Sequence, residues 1–378
     1  MKIALLTDGI PPYLIGGMQK HSFYLAKYFA QKKIFVDLYH PIIHGRTISA
    51  QDILNIFSEN EKEFIKPFLI KFPKNNSLPG HYLRESYEYS SRIYDEFAKH
   101  PTVDFVYAKG FTGWKFAEEK KKGETLPKMG ANFHGYEMFQ QANTLKEKVQ
   151  QYFFKGPVKY IISNADYVFS YGGKITDIIK NLSISEKKII EIPAGISEDW
   201  LVKTVSEIHH PRKFVFVGRY EKRKGISELF KAITMIGKDY NFSFSFIGQI
   251  PDSKKIFSDK IIYHGQVVDI EKTKEIMSNA DVLVCPSHSE GMPNVILEAM
   301  ASGLAVIATN VGAINLMVSE KNGTLISKSD SVLIAKELIN FINMPSELLK
   351  EKKSNSLYVV KNYLWDKVIE TTISKIFF

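Results

Sequence analysis

Two carboxylates, Glu290 and Glu298, lie with seven residues between them in the segment from Pro286 to Gly303. Apolar runs at 280–285 and 304–309 flank this segment and predict short buried strands. The segment is therefore expected to form a loop and a helix between two strands of an α/β unit. Two acids beside a helix N-terminus could bind the hydroxyls of a ligand whose phosphates rest on the free amides.

The helix in this segment has predictable ends and a predictable buried side. Pro293 suits the first helical position, and Gly303 suits the residue just past the helix end. Val295, Ala299 and Met300 follow helical spacing and should face the sheet. Taken alone, two acids at this spacing most often form a solvated helix face, so the choice between the two interpretations depends on the whole string.

The whole string resembles the signature of the family-4 retaining glycosyltransferases. The matching residues are Pro286-Ser287, Glu290-Gly291, Pro293, the apolar run 295–297, Glu298-Ala299, Ala301 and Gly303. This resemblance implies an α/β GT-B fold, in which two Rossmann-like, doubly wound domains face a central cleft and the last helix crosses back to the first domain. It also implies transfer of a sugar from a nucleotide-diphosphate donor with retention of the anomeric configuration.

The resemblance also assigns roles in donor binding. It implies that Glu290 contacts the donor sugar and that Glu298 contacts the ribose. The segment that binds the donor around these acids comprises Gly291, Met292, Pro293, Asn294 and Val295.

A basic loop, Gly218-Arg219-Tyr-Glu-Lys222-Arg223-Lys224-Gly225, follows the strand predicted at 213–217. Two cations here could neutralise a leaving diphosphate, although such runs are more often solvated turns. The Gly-Arg and Lys-Gly pairs match the diphosphate clamp of the family. The sequence therefore predicts Arg219 and Lys224 as catalytic and donor-binding residues, and Lys222 and Arg223 as solvent-facing.

Two further site candidates lie in the first half of the chain. Gly16 and Gly17 follow the first predicted strand and permit close backbone approach to an oxyanion, or they form a flexible turn. The family places its donor-contacting glycine loop here, often with an acid where this chain has Gln19. His134 follows the strand predicted at 128–133 and matches the histidine that lies near the donor sugar in the family.

The remaining chemistry predicted from the sequence concerns the base and the metal. Val267 lies in a stretch that resembles the base-recognition strand end of the family, so it is predicted to bind the donor. No Asp-x-Asp occurs anywhere in the chain, which favours a metal-independent mechanism in which Arg, Lys and helix amides oppose the diphosphate charge. The other histidines and Cys285 show no metal-ligand spacing, so no metal and no cofactor are expected.

Composition bounds the class of protein. A chain of 378 residues with 44% hydrophobic and 24% charged residues predicts two globular domains. The single cysteine favours a reducing cytoplasm, and the start of the chain is too short an apolar run for a secretory signal. The net charge of +9 favours anionic partners, but no motif for nucleic-acid binding accompanies it.

Alternating strand-like and helix-like segments predict the domain organisation. The first domain is predicted at 1–200 as the acceptor-binding domain and the second at 206–358 as the donor-binding domain. Residues 355–378 are predicted to be helical and carry Trp365, and the resemblance implies that a helix at 360–378 packs back on the first domain.

Basic and aromatic residues interleave between Tyr152 and Tyr160, as they do in segments at a membrane interface. The alternative is that the aromatics pack into the domain core, which is the more usual outcome. In the first interpretation, four lysines give a weak, reversible contact with an anionic membrane surface: Lys146, Lys148, Lys155 and Lys159.

The sequence as a whole is most consistent with a cytoplasmic, metal-independent retaining glycosyltransferase with peripheral contact at the inner face of the membrane. The donor is expected to be a UDP-sugar or next GDP-mannose, carrying a hexose or N-acetylhexosamine, and the acceptor a glycan or lipid-linked carrier in cell-surface polysaccharide synthesis. The alternatives are an epimerase or phosphorylase of the same fold and a non-catalytic sugar-nucleotide-binding protein. A nicotinamide dehydrogenase is disfavoured because the chain lacks Gly-x-Gly-x-x-Gly after its first strand.

Overall fold

The computed structural model describes residues 1–14, 16–45, 47–74, 80–142, 144–237 and 239–378. The chain divides into two compact units, each with its own parallel sheet. The first unit comprises Met1–Tyr171, Ile175–Pro193 and Trp365–Phe378, and the second comprises Gly172–Lys174 and Ala194–Leu364.

The first unit contains a sheet of seven parallel strands in the order β3-β2-β1-β4-β5-β6-β7. Its strands are β1 (Lys2–Leu6), β2 (Phe35–Ile42), β3 (Ile65–Lys71), β4 (Phe105–Lys109), β5 (Lys128–Asn132), β6 (Tyr167–Ser170) and β7 (Ile189–Glu191). The chain winds outwards from β1 in one direction and from β4 in the other. The gap between these two strands is therefore the topological switch point, where open α/β sheets bind their ligands.

Helices connect these strands. They are α1 (Gly17–Gln31), α2 (Ala50–Leu54), α3 (Glu59–Lys62), α4 (His81–Phe97), α5 (Trp114–Lys122), α6 (Leu145–Asn164) and α7 (Lys174–Asn181). Buried apolar residues of α1 and of β1, β2 and β4 form the main core of the unit. Strands that are covered on both faces have continuous apolar sequences.

The second unit contains six parallel strands in the order β10-β9-β8-β11-β12-β13. Its strands are β8 (Arg212–Val217), β9 (Phe242–Ile247), β10 (Ile261–Gly265), β11 (Val282–Cys285), β12 (Ala305–Thr309) and β13 (Gly323–Ile326). The switch point of this sheet lies between β8 and β11. Strands β11 and β12 lie within the apolar runs at 280–285 and 304–309 that predict them.

The helices that follow in the chain are α8 (Ile226–Ile236), α9 (Ile270–Ser278), α10 (Asn294–Ala301), α11 (Ser331–Ile342), α12 (Ser346–Val360) and α13 (Trp365–Phe377). The first five belong to the second unit. Their apolar sides pack on fully buried strand residues such as Phe214, Phe244 and Val282.

Strand β3 is absent from the sequence-based prediction. Pro67 interrupts its apolar pattern, and a proline normally argues against a central strand. Here β3 is the edge strand of the sheet and pairs only with β2. No second neighbouring strand therefore requires a backbone hydrogen bond from Pro67. Ile65, Phe68 and Ile70 supply its buried side.

The prediction of continuous helix over 355–378 is wrong. Helix α12 ends at Val360, and Leu364 adopts an extended conformation that pairs with Ile196. Helix α13 then begins at Trp365, which is 2% exposed and stacks on Tyr24 and Tyr28 of α1. The last helix thus belongs to the first unit, which confirms the crossing that the family resemblance implies.

Candidate active site

Glu290 is the centre of a buried ionic cluster in the second unit. Its side chain is 8% exposed, and its Oε1 atom lies 2.6 Å from Lys224 Nζ and accepts a 2.8 Å hydrogen bond from Ser287 Oγ. Its Oε2 atom lies 3.2 Å from Arg223 Nη1. We call Glu290, Lys224, Arg223 and Ser287 the Glu290 cluster. Two cations face the Glu290 carboxylate, and Arg223 Nη2 also lies 3.6 Å from Glu221 Oε2 outside the cluster.

Electrostatics keep Glu290 ionised despite its burial. Burial by itself raises the pKa of a carboxyl group, but Lys224 and Arg223 more than offset that effect and hold the pKa of Glu290 below its ordinary value. Nearby, burial together with Glu290 raises the pKa of the Cys285 thiol to about 11. Cys285 is therefore a buried, protonated structural thiol.

Two loops at the switch point of the second sheet build the Glu290 cluster. The loop after β8 turns through a short 3-10 helix at Lys222–Lys224, and the loop after β11 carries Ser287 and Glu290. The backbone amide of His288 donates a 2.8 Å hydrogen bond to the carbonyl of Arg223 and joins the two loops. Because β8 and β11 are neighbours in the sheet, their carboxyl ends bring these side chains together.

A glycine permits the close approach of these loops. Gly225 has φ +67°, and a Cβ atom there would lie 1.9 Å from the carbonyl oxygen of Pro286. No other residue fits this position without moving the loop that carries Glu290.

The positions of the basic residues differ from the prediction. Arg219 is 78% exposed and pairs with Glu221 at 2.9 Å, so the structure does not bring it to Glu290. The expectation that Arg223 faces solvent is wrong, because Arg223 contacts both the Glu290 carboxylate and the carbonyl of Ser289. A buried carboxylate is stable only when it is paired, and Arg223 and Lys224 together provide that pairing. Lys222 is exposed, as predicted.

Helix α10 begins directly after the Glu290 loop. Gly291, Met292 and Pro293 are buried, and Pro293 occupies the N-cap rather than the first helical position. Asn294 and Glu298 are partly buried, one turn apart. At the other end, Gly303 is the residue just past the cap with φ +74°, as predicted.

The buried side of α10 is rotated relative to the prediction. Ala299 and Met300 are fully buried, as expected from their spacing. Val295 is only partly buried, whereas Ile296 and Leu297 are fully buried. The eight-residue helix packs against both the sheet and α12, so a wider arc of its surface is covered than a single stripe predicts.

A second glycine supports the Glu290 loop and gives a test of the geometry. Gly312 has φ +57°, and a Cβ atom there would lie 2.3 Å from the carbonyl oxygens of Glu290 and Gly291. We expect Gly312→Ala to lower the free energy of unfolding by about 1–3 kcal/mol and to weaken nucleotide binding. Urea unfolding and calorimetry measure both effects. Gly156→Ala is the matched control, since nothing lies within 4 Å of its Cβ position; an equal loss in both variants would contradict this role.

Val267 lies two residues beyond β10, at the carboxyl edge of the same sheet, and is partly buried. Strand β10 is the edge strand, and β9 separates it from β8. The structure thus places Val267, the predicted base-recognition residue, at the carboxyl edge of the sheet, where the Glu290 cluster also lies.

In the first unit, His134 lies just after β5 in a left-handed backbone conformation with φ +56°. Its backbone amide donates a 2.8 Å hydrogen bond to Asn132 Oδ1, and its Nδ1 atom pairs with the hydroxyl of Tyr171. Burial, aided by Lys109, lowers the pKa of His134 well below its ordinary value, so the ring is neutral at pH 7. Its buried Nε2 atom has no hydrogen-bond partner among the described residues.

Three residues beside His134 escaped the sequence analysis. Asp8 follows β1, Lys109 ends β4, and His21 lies on α1, so all three gather at the switch point of the first sheet. Lys109 is fully buried with its Nζ atom 2.9 Å from His21 Nδ1, and the His21 ring lies 5.0 Å from the His134 ring. A charged residue at the end of an apolar strand is the signal that could have identified Asp8 and Lys109.

The titration of Asp8 and Lys109 is linked through their opposite charges. Burial raises the pKa of Asp8 to about 6, although Lys109 acts in the opposite direction. Burial lowers the pKa of Lys109 well below its ordinary value, and Asp8 partly offsets this. The first unit therefore holds a carboxylate and an amine that both titrate closer to neutrality than usual.

The glycine loop of the first unit leads into α1. Gly16 is the N-cap residue and Gly17 is the first residue of the helix. Gln19, which replaces the acid common in the family, donates a 2.7 Å hydrogen bond to Asp8 Oδ2. An ionised acid at position 19 could not make this bond to a carboxylate, so the presence of Asp8 accounts for the amide.

Among the residues that the structure describes, no three His, Cys, Asp or Glu side chains form a group that could hold a metal ion. Within the same part of the chain, no helix combines the length and apolar character needed to cross a membrane.

The two parallel-sheet units have the α/β architecture of the GT-B fold, and comparison with solved structures agrees. Sucrose-phosphate synthase from Thermosynechococcus elongatus superimposes with a TM-score of 0.78 over 99% of this chain and 97% of that chain, at 17% identity. Anabaena HepE, solved in complex with UDP, superimposes with a TM-score of 0.68 at 15% identity, over 100% of this chain and 99% of HepE.

Residues 211–344 match the family model described as glycosyl transferases group 1. The capsular polysaccharide biosynthesis glycosyltransferase CapM of Staphylococcus aureus is 34% identical over 36% of this chain, but the match spans only 37% of CapM. An uncharacterized glycosyltransferase of Methanocaldococcus jannaschii is 25% identical over 89% of this chain and 95% of its own length. The resemblance is therefore confirmed: residues 211–344 match the family model, and the chain is similar over most of its length to a glycosyltransferase.

Proposed function

We propose that this protein transfers a hexose or N-acetylhexosamine from a nucleotide-diphosphate sugar to a glycan or lipid-linked acceptor, without a metal and with retention of configuration. A UDP-sugar is the favoured donor and GDP-mannose the next. The product would be a cell-surface polysaccharide or glycoconjugate, as the name of CapM suggests for that relative. The crystal structure of HepE with UDP supports the choice of base.

The observation that carries this proposal is the Glu290 cluster at the switch point of the second sheet. Lys224 and Arg223 together outweigh the charge of Glu290, and the N-terminus of α10 lies a few residues further on. When the glycosidic bond to the donor phosphate breaks, negative charge grows on the diphosphate. Cations and free helix amides at that place would oppose the growing charge as a metal ion does in other enzymes.

Five of the predicted residues then have a role in the proposed reaction. Lys224 and Arg219 bind the diphosphate, for which Arg219 must leave its exposed pair with Glu221. Glu290 accepts hydrogen bonds from the hydroxyls of the donor sugar, and Glu298 accepts them from the ribose. His134 donates a hydrogen bond near the donor sugar through Nε2, which has no hydrogen-bond partner among the described residues.

A panel of nucleotide sugars, with and without acceptor oligosaccharides, tests the reaction class. We expect release of nucleoside diphosphate to depend on acceptor and to continue in excess EDTA, since the proposed charge stabilisation uses only basic side chains and backbone amides. Complete loss on chelation that manganese or magnesium restores would overturn the metal-free mechanism. An altered sugar nucleotide without diphosphate release would indicate an epimerase. Phosphate-dependent cleavage of a glycosidic bond would indicate a phosphorylase. Nucleotide binding without turnover would indicate a non-catalytic protein.

The stereochemistry requires a separate measurement. Proton NMR of the first-formed product reports the anomeric configuration before it can equilibrate. We expect it to equal that of the donor sugar, and the opposite configuration would overturn the retaining assignment.

A further inference from the structure

Helix α6 presents two apolar faces on opposite sides. Towards the core, Val158, Ile161 and Ile162 are fully buried. The other apolar face is open to solvent in the amino-terminal half of the helix. It consists of Leu145, Val149, Tyr152 and Phe153, which are 79%, 52%, 78% and 57% exposed.

These four residues form one continuous stripe. Positions four, seven and eight residues after Leu145 lie on the same side of an α-helix, because each residue turns the chain by about 100°. We call these four residues the outer face of α6. The core-packing interpretation of the aromatics is therefore wrong for Tyr152 and Phe153. It holds for the next residue, Phe154, whose ring lies 5.6 Å from Tyr82 and 5.8 Å from Phe111.

Lysines lie beside the outer face. Lys148, Lys155 and Lys159 follow one border of the stripe by helical position, and Lys146 lies at the other border. All four are exposed. Glu147 is the single acid in α6, and its position turns it away from the stripe. An apolar stripe with cations on both borders is the pattern of a helix that lies in the plane of an anionic membrane surface.

We propose that the outer face of α6 docks on an anionic phospholipid bilayer and brings the enzyme to a membrane-borne acceptor. The aromatic and aliphatic side chains would enter the level of the headgroups, and the lysines would pair with lipid phosphates. A second copy of the chain is a poorer occupant, because two such faces would bring lysines against lysines. The acceptor part of this inference rests on the proposed function, whereas the docking part does not.

The direct test is sedimentation of the full-length protein with vesicles of phosphatidylcholine alone or with one-third phosphatidylglycerol, at low and high salt. We expect binding to the anionic vesicles only, falling steeply as salt rises. Tyr152→Ser/Phe153→Ser and Lys155→Glu/Lys159→Glu should each weaken it at least tenfold. The control is Lys231→Glu/Lys336→Glu, which reverses two exposed lysines of the second unit and should bind like the wild type.

Three results would overturn the docking surface. They are no binding at low salt, equal binding by all three variants, and a dimer in the vesicle-free protein that Tyr152→Ser/Phe153→Ser dissociates. Diphosphate release in solution, measured on the same variants, separates this inference from the proposed function. Variants that lose vesicle binding but keep turnover on a soluble acceptor would support the docking face. A wild type that binds vesicles but releases no diphosphate would refute the reaction alone.

Discussion

Lys224→Ala should lower the rate of sugar transfer about ten- to a hundredfold. Lys224 is the closest cation to the Glu290 carboxylate and the proposed partner of the leaving diphosphate. A hydrogen bond to a charged group contributes about 1.5–3 kcal/mol, which corresponds to that range of rates. Arg219→Ala should lose activity to a similar extent if Arg219 leaves Glu221 to bind the donor. Steady-state kinetics with the donor identified by the panel measures both effects.

The stability of the Lys224→Ala variant must be measured beside its activity. Removing one partner of a buried ion pair destabilises a protein by about 3–5 kcal/mol, because the other charge stays buried. In this cluster Arg223 still faces Glu290, so the loss should fall below that range. Lys224→Ala/Glu290→Gln removes the buried charge as well and should recover part of the free energy of unfolding while transfer stays low.

The pH dependence of stability gives an independent check on Glu290. Its pKa in the folded protein is held below the ordinary value of 4.5. The contribution of ionised Glu290 to the free energy of unfolding is therefore fully present above its unfolded-state pKa. This contribution is lost as pH falls through its folded-state pKa. The difference in unfolding free energy between wild type and Glu290→Gln should shrink below about pH 4.

The matched control for the clamp is Lys222→Ala, two residues away on the same turn and exposed. It removes one positive charge from the loop but leaves Lys224, Arg223 and Glu290 in place, so transfer should change less than twofold. Wild-type rates in folded Lys224→Ala and Arg219→Ala would refute the clamp. An equal loss in Lys222→Ala would mean that the charge of the whole loop matters rather than these residues.

The sequence predicted the β11–α10 segment well because local signals there agree with one another. An apolar strand, a proline and a glycine each limit the backbone at their own position, and all three favour the same strand, loop and helix. Strand β3 was missed because Pro67 conflicts with its apolar pattern, and only its position at the edge of the sheet removes that conflict. Local sequence signals likewise did not indicate that α12 and α13 are separate helices.

Side-chain partners were harder to predict than elements. Arg223 and Lys224 are adjacent, and only the backbone geometry of the turn at Lys222–Lys224 decides that both reach Glu290. Asp8 and Lys109 are about a hundred residues apart in sequence and meet because β1 and β4 are neighbours in the sheet. Pairings of this kind depend on strand order, which periodicity and composition do not reveal.

The group with the largest expected effect in the first unit is His134. Burial raises the pKa of the Tyr171 hydroxyl well above its ordinary value, so this hydroxyl stays protonated beside His134 Nδ1. A phenol is a better donor than a neutral imidazole, so Nδ1 accepts and Nε2 carries the proton. This tautomer leaves Nε2–H as the donor that the proposed function requires.

His134→Ala should therefore lower kcat about 10²–10³-fold, the usual effect of removing one preorganised donor from a transition state. Tyr171→Phe keeps the imidazole but removes the hydrogen bond that fixes its tautomer and orientation. Its kcat should therefore fall only about tenfold. The double variant should be no slower than His134→Ala, because Tyr171 acts through that ring.

The control is His44→Ala, which removes an exposed histidine and should retain wild-type kcat. Since the pKa of His134 lies well below 6.5, protonation of this ring should not limit the wild-type rate between pH 6 and 8. Full kcat in folded His134→Ala, or losses that multiply in the double variant, would show that this histidine is structural and that Tyr171 acts by another route.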